Sequence, residues 1–257
     1  MPAPPLPAPV AALADELAGL PGALAVVLGG SRATATHRPD SDWDVGVYYR
    51  ASEQPLHPGD LRRLGHDGYV SELQEWGPIM NGGAWLTIQG APVDVLFRDL
   101  DTVERWLDDA QQGRFDVLAQ NGDVVGAPTY LPIAELAICR PLTGELPRPE
   151  FPVALAETAA ERWNRKARVA LMFANLHASA ADAVACSGML AQAVLSEAHA
   201  RLAQRREWVV NEKQLVRRAG LDATQQLLAA PGATTNHLAD TVTAVGSALG
   251  AEPLTTR

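Results

Sequence analysis

The chain holds almost no lysine and almost no cysteine. Two lysines, Lys166 and Lys213, stand against 19 arginines, so arginine serves as the default base. The two cysteines, Cys139 and Cys186, lie in apolar, helix-like surroundings. They supply neither a disulfide framework nor a thiolate metal site, and both read as buried thiols. The six histidines show no metal-ligand spacing, and all are left out of the chemistry, His37 included. Also missing is any apolar run long enough to cross a bilayer. Met1 to Pro9 is rich in Pro and Ala without the basic start of a signal peptide, and it reads as a frayed leader on a cytoplasmic protein. There is no internal repeat.

What is present is acid, unevenly placed. The net charge is -9; residues 1–149 carry 20 acids against 10 bases, whereas residues 150–257 carry 10 against 11. An acidic surface repels a phosphate backbone, so sequence-independent nucleic-acid binding is not supported as the main role, and a cationic or neutral acceptor fits better. Any NTP drawn to the acidic half needs bound cations or basic residues from the other half.

With 257 residues, 47% of them hydrophobic, a sizeable core is expected. Val10–Leu20 reads as a short helix ended by Pro21-Gly22, and Ala23–Leu28 as a buried strand followed by a turn at Gly29-Gly30. Asp42–Tyr49 alternates as a half-buried strand, Ala84–Gln89 and Pro92–Phe97 form a hairpin around Gly90, and Gly82-Gly83 reads as a turn. Short helices are expected at Asp60–Leu64, Asp99–Ala110 and Leu131–Cys139, and a linker at Pro141–Pro152. Beyond it, Val153–Asn175, Ala180–Arg206, Glu212–Ala219, Ala223–Ala229 and Asn236–Leu249 have helical composition, which suggests a bundle. The expected domains are therefore 1–149 and 150–257.

Three short pieces make one chemical proposal: Gly29-Gly30-Ser31-Arg32, Asp42-Trp43-Asp44 and Val93-Asp94-Val95. A strand ending in Gly-Gly-Ser turns tightly and lets amide N–H groups and the Ser31 hydroxyl reach phosphate oxygens, with Arg32 adding charge. On an extended strand Asp42 and Asp44 project from one face, roughly 6.5 to 7 Å apart. Their repulsion is relieved by Mg²⁺, and Asp94 from a neighbouring strand would complete an oxygen cage open to water and triphosphate. Two metal ions can activate an attacking oxygen and stabilise leaving pyrophosphate. Asp40 reads as a turn residue. Trp76 and Trp85 read as core residues, with stacking on a base or sugar ring as the alternative. Lys213 reads as a solvated helix residue or as a cation reaching the triphosphate from a helix start.

The string GGSRATATHRPDSDWDVGV, followed by VDV, resembles the signature of the polymerase-beta-like nucleotidyltransferase superfamily over Ala23–Asp99. The order of a catalytic domain and a helical bundle looks like the antibiotic nucleotidyltransferases that act on aminoglycosides and lincosamides. The resemblance implies a mixed-sheet α/β domain in which Gly30 and Ser31 contact the triphosphate and Asp42, Asp44 and Asp94 bind Mg²⁺. In such enzymes a carboxylate can act as general base; Glu157 and Glu161, one helical turn apart, are candidates, with Asp94 the alternative. The expected function is transfer of NMP, AMP first, from an NTP to a hydroxyl of a small, aminoglycoside-like acceptor. A toxin-type enzyme modifying a tRNA or protein is the second reading. A non-catalytic nucleotide-binding regulator is the third, and the intact Asp42, Asp44 and Asp94 argue against it. A homodimer completing the site through the helical half is compatible with the sequence, which leaves oligomeric state open.

Overall fold

The computed structural model describes residues 6–251. In chain order the elements are α1 (Ala8–Ala18), β1 (Ala25–Leu28), α2 (Gly30–Ala33), β2 (Trp43–Tyr49), α3 (Pro58–Arg63), β3 (Asp67–Val70), α4 (Gly77–Met80), β4 (Gly82–Ile88), β5 (Ala91–Asp99) and α5 (Leu100–Gln111). They continue with β6 (Val117–Leu118), β7 (Ala127–Pro128), α6 (Leu131–Ile138), β8 (Arg140–Thr143), α7 (Val153–Ser179), α8 (Ala183–Gln204), α9 (Leu215–Arg218), α10 (Ala223–Ala229) and α11 (Thr235–Leu249). The chain forms two compact units: one runs to Asp109 and resumes over Pro128–Glu150, and the other joins Ala110–Ala127 to the chain from Phe151 onward. Of the expected leader, residues 1–5 lie outside the described residues, while Ala8 and Pro9 already form the first turn of α1.

A six-stranded sheet in the order β3-β4-β5-β2-β1-β8 organises the first unit. Its two central strands, β2 and β5, are parallel, and every other neighbouring pair is antiparallel. The period-two pleat sends Val45 and Val47 of β2 and Val93, Val95 and Phe97 of β5 to one face. There they pack against Leu13, Ala14 and Leu17 of α1 and Leu61 of α3. Burying side chains of this size stabilises by about 1.5–3 kcal/mol each. β4 and β5 are joined by Gln89 and Gly90, both with positive φ (49° and 84°), the two-residue hairpin geometry whose twist matches the strands.

The sheet is larger than the sequence pattern predicts. Arg140–Thr143, which overlaps the start of the linker expected at Pro141–Pro152, is the edge strand β8 paired with β1. Proline is tolerated there because an edge strand has no second partner to receive its missing N–H, and the register shifts beside it, between Val26 and Val27. Gly82 and Gly83 form no turn but open β4, where a Cβ on Gly83 would lie 1.8 Å from the Val95 carbonyl oxygen. β2 is not half-buried beyond Asp44, since Gly46 and Tyr48 are covered on the second face as well.

The second unit is helical. The 27-residue α7 packs along α8, and α11 packs against both. Their shared core is rich in small residues, Ala170, Ala174, Ala178, Ala193 and Ala198, which let helix backbones approach, with Leu171, Leu190, Leu202, Leu238 and Val245 filling the remainder. Asp182 caps α8 by accepting a hydrogen bond from the Ala185 amide (3.1 Å). The fold class is thus a mixed α/β sheet with a C-terminal helical region. No helix among the described residues is long and apolar enough to cross a membrane.

Candidate active site

Asp44 and Asp94 face each other in register on the parallel strands β2 and β5. Neighbouring strands lie about 4.8 Å apart, and residues in register point to the same face, so the two carboxylates are side by side on the sheet face opposite the valine core. Both are half-buried. Asp42 is exposed and precedes the first residue of β2.

The Gly-Gly-Ser turn closes over this pair. The Gly29 amide donates to the Asp44 carbonyl (2.8 Å), which extends the β1–β2 ladder by one step. Gly30 then enters the left-handed region (φ 55°), and a Cβ there would lie 1.8 Å from Asp44 Oδ2. Only glycine brings the turn this close to the carboxylate. Ser31 follows in the single turn α2.

Arg32 turns back onto its own loop. Its guanidinium donates to the carbonyl oxygens of Ser41 (2.5 Å from Nη2) and Asp42 (3.1 Å from Nε) and lies over the Trp43 ring at 3.9 Å. These contacts fix the chain entering β2 and hence the positions of Asp42 and Asp44. In the same loop, His37 buries its Nδ1 without a hydrogen-bond partner, a signal that a sequence search for metal-ligand spacing passes over.

Along the acid-bearing face the surroundings differ at the two ends. Four residues further along each strand, Tyr48 and Arg98 are again in register. There Arg98, 2% exposed, forms a two-pronged ion pair with Glu135 of α6 (2.6 and 3.0 Å) and donates to the Met80 carbonyl (2.7 Å). Burial first, and then the Glu135 charge, push the Tyr48 phenol far above its ordinary value and hold it protonated. The near end is open. In sequence terms Trp85 is a core residue of an alternating strand, but it is 56% exposed and stacks on Trp76 with ring centres 4.8 Å apart.

Other candidate residues lie in the second unit. Glu157 and Glu161 are both exposed on α7. Lys213 is exposed in the turn before α9 rather than at a helix start, its amide donating to Asn211 Oδ1 (3.0 Å). This unit also contains a cavity of about 610 Å³ lined by Arg162, Trp163, Arg165, Lys166, Gln120 and Asp123 among others. Lys166 donates to the Val125 carbonyl (2.5 Å), and burial, aided by Arg162 and opposed by Glu212, lowers its pKa.

Among the described residues no group of three or more His, Cys, Asp or Glu side chains stands ready as a metal cage. Mg²⁺ does not need one. It is held by one or two carboxylates, with waters and substrate phosphates filling its octahedron. Two adjacent aspartates at the rim of a glycine turn have the hard-oxygen donors and the open side that such an ion requires.

The segment that carries this geometry is similar to one known domain. Residues 11–105 match the family model of the nucleotidyltransferase domain, a span that includes most of α1, the glycine turn, both in-register aspartates and the aromatic pair. Domains of this family use an NTP and a divalent metal to transfer NMP. Among solved structures the chain is similar to a nucleotidyltransferase-like protein from Exiguobacterium sibiricum, at 9% identity and a TM-score of 0.45, over 93% of this chain and 72% of that one. No curated protein matches it.

Proposed function

We propose that this enzyme transfers AMP from ATP to a hydroxyl group of a small cationic acceptor of the aminoglycoside type. The observation that carries the reading is the pairing of Asp44 with Asp94 in register beneath the Gly29-Gly30-Ser31 turn. Asp44 and Asp94, with Asp42 at the strand entrance, would hold Mg²⁺; the ion supplies charge neutralisation for the phosphate oxygens. The amides of the turn and the Ser31 hydroxyl would orient the triphosphate. Arg32 acts indirectly, by fixing the Ser41 and Asp42 carbonyls. The acceptor oxygen forms its bond to the α-phosphorus as the bond to pyrophosphate breaks, and its proton passes to a carboxylate. Asp94, in register with Asp44, is our first choice for that base, and Glu157 and Glu161 are the alternatives.

The acidic N-terminal half favours an acceptor that carries amines. Catalysis is assigned to the sheet unit, which carries Asp44, Asp94 and the glycine turn. The test is pyrophosphate release from each NTP with Mg²⁺ and a panel of amine-bearing, neutral and macromolecular acceptors. We expect release with ATP and an amine-bearing acceptor; release only with tRNA or a protein would overturn the choice of acceptor.

A further inference from the structure

The register of the sheet aligns more than the two acids. Tyr69 on β3 pairs with Trp85 on β4, Trp85 pairs with Asp94 on β5, and Asp94 pairs with Asp44 on β2, whose carbonyl receives the Gly29 amide. Residues in register share a face, so one row crosses the sheet from an exposed aromatic shelf, through the carboxylates, to the glycine turn. Trp76 widens the shelf. Its ring lies where a Cβ on Gly83 would come within 2.8 Å, stacked on Trp85, while Tyr69 meets Trp85 at 5.6 Å.

The shelf is rigidly mounted although its rings face solvent. Asn81 anchors the loop that carries Trp76: its side chain accepts from the Gln74 amide (3.1 Å) and donates to the Tyr49 hydroxyl (3.0 Å). Ser71 ties the start of the same loop to the Gly83 amide (2.8 Å). Exposing Trp85 and Tyr69 (42%) on a fixed support leaves apolar area uncovered, which a ligand ring would cover. The charge beside the rings is negative. The Tyr69 hydroxyl donates to Glu75, and Glu72 pairs with Arg62 (2.6 Å), so Glu75 adds a negative charge at the Tyr69 end of the shelf.

We infer that the Tyr69–Trp76–Trp85 shelf is the acceptor subsite, taking a cationic sugar-like ring by stacking and cation–π contact. The inference rests on the nucleotidyl-transfer reading of the acid pair and adds a direction to it. In an in-line displacement the attacking oxygen and the leaving pyrophosphate lie on opposite sides of the phosphorus. The glycine turn, which takes the phosphates, is on the β1 side of Asp44, and the shelf is on the β4 side of Asp94. A nucleobase stacked on the shelf would place the donor on the side that the acceptor must occupy. An aromatic face also favours an ammonium-bearing ring over a neutral one.

The test is calorimetric titration of the full chain, without nucleotide, with neomycin B as the polyamino-sugar probe and maltotriose as the uncharged one. Wild type is expected to bind neomycin B and not maltotriose. Trp85→Ala is expected to weaken neomycin B binding roughly tenfold while leaving Mg-ATP affinity unchanged, and Trp85→Phe to restore most of the loss. Absence of neomycin B binding by wild type, equal binding by Trp85→Ala, or a loss that falls on Mg-ATP instead would each overturn the assignment. Binding through Trp85 without pyrophosphate release under any condition would refute nucleotidyl transfer and keep the shelf as a cationic-ring site.

Discussion

A methyl group on Gly30 would sit 1.8 Å from the Asp44 carboxylate oxygen, at a backbone φ of 55° that side chains rarely adopt. Gly30→Ala therefore strains the turn and pushes the Asp44 carboxylate from its place beside Asp94. We expect a stability loss of about 1–3 kcal/mol, with transfer falling by a larger factor than the folded fraction. Thermal melting beside the initial rate at a temperature where the variant is folded separates the two. A variant with wild-type kcat would show that the contact is not needed.

Asp44→Asn and Asp94→Asn keep volume and remove one negative charge from the shared face. Both are expected to cut Mg²⁺-dependent transfer by roughly a thousandfold, because the bound metal loses a charged ligand. Asp42→Asn, outside the ladder, is expected to cost less. Equal rates for Asp94→Asn and wild type would remove Asp94 from the site.

The general base is open to a direct comparison. Glu157→Gln and Glu161→Gln lie on an exposed face of α7 and are expected to change melting by less than about 0.5 kcal/mol. If Asp94 is the base, both retain kcat. A loss of about a hundredfold in one of them, with the ATP KM unchanged, would transfer the role to that glutamate.

Arg98 and Glu135 meet on the covered end of the acid-bearing face. Removing one partner leaves a charge with little solvent, so Arg98→Met and Glu135→Leu are each expected to cost about 3–5 kcal/mol in denaturant unfolding. The double variant should recover much of that loss, since no buried charge is left. Additive losses would show that the pair acts through packing alone.

How much of this could be read without a structure depends on the residue. Asp44 and Asp94 were legible because each sits between apolar strand residues, and period-two alternation puts such acids on the opposite face from the core. Gly30 was legible as a turn, though its contact with Asp44 was not. β3 has no clear strand pattern, because Asp67-Gly68-Tyr69-Val70 is short, mostly exposed and interrupted by a glycine at φ 140°. β8 was hidden by Pro141, which reads as linker until β1 is known to need an edge partner. Trp85 occupies an alternating strand, where an aromatic residue reads as core; only the register of β3, β4 and β5 shows that its face is open. The carbonyls that engage Arg32 come from residues nine and ten positions along, beyond any local pattern.

His199 is expected to make the helical unit sensitive to acid. Its ring stacks on Trp163 at 4.4 Å, its Nδ1 is buried without a partner, and burial, followed by the charges of Lys166 and Arg218, lowers its pKa from 6.5 to about 3. A histidine whose folded pKa is depressed takes up its proton more readily in the unfolded chain. The unfolded state is therefore favoured progressively as pH falls from about 6.5 toward 3, and this contribution is absent above pH 7. The full effect is on the order of 5 kcal/mol, of which about 2 kcal/mol is felt by pH 5. His199→Phe keeps the stack on Trp163 and has nothing to titrate. We expect its melting temperature to fall less than that of wild type between pH 7.5 and pH 5, whatever its stability at neutral pH. The difference of the two slopes is the measurement: parallel pH profiles would mean that the imidazole is solvated or paired on protonation, and that the acid sensitivity lies elsewhere.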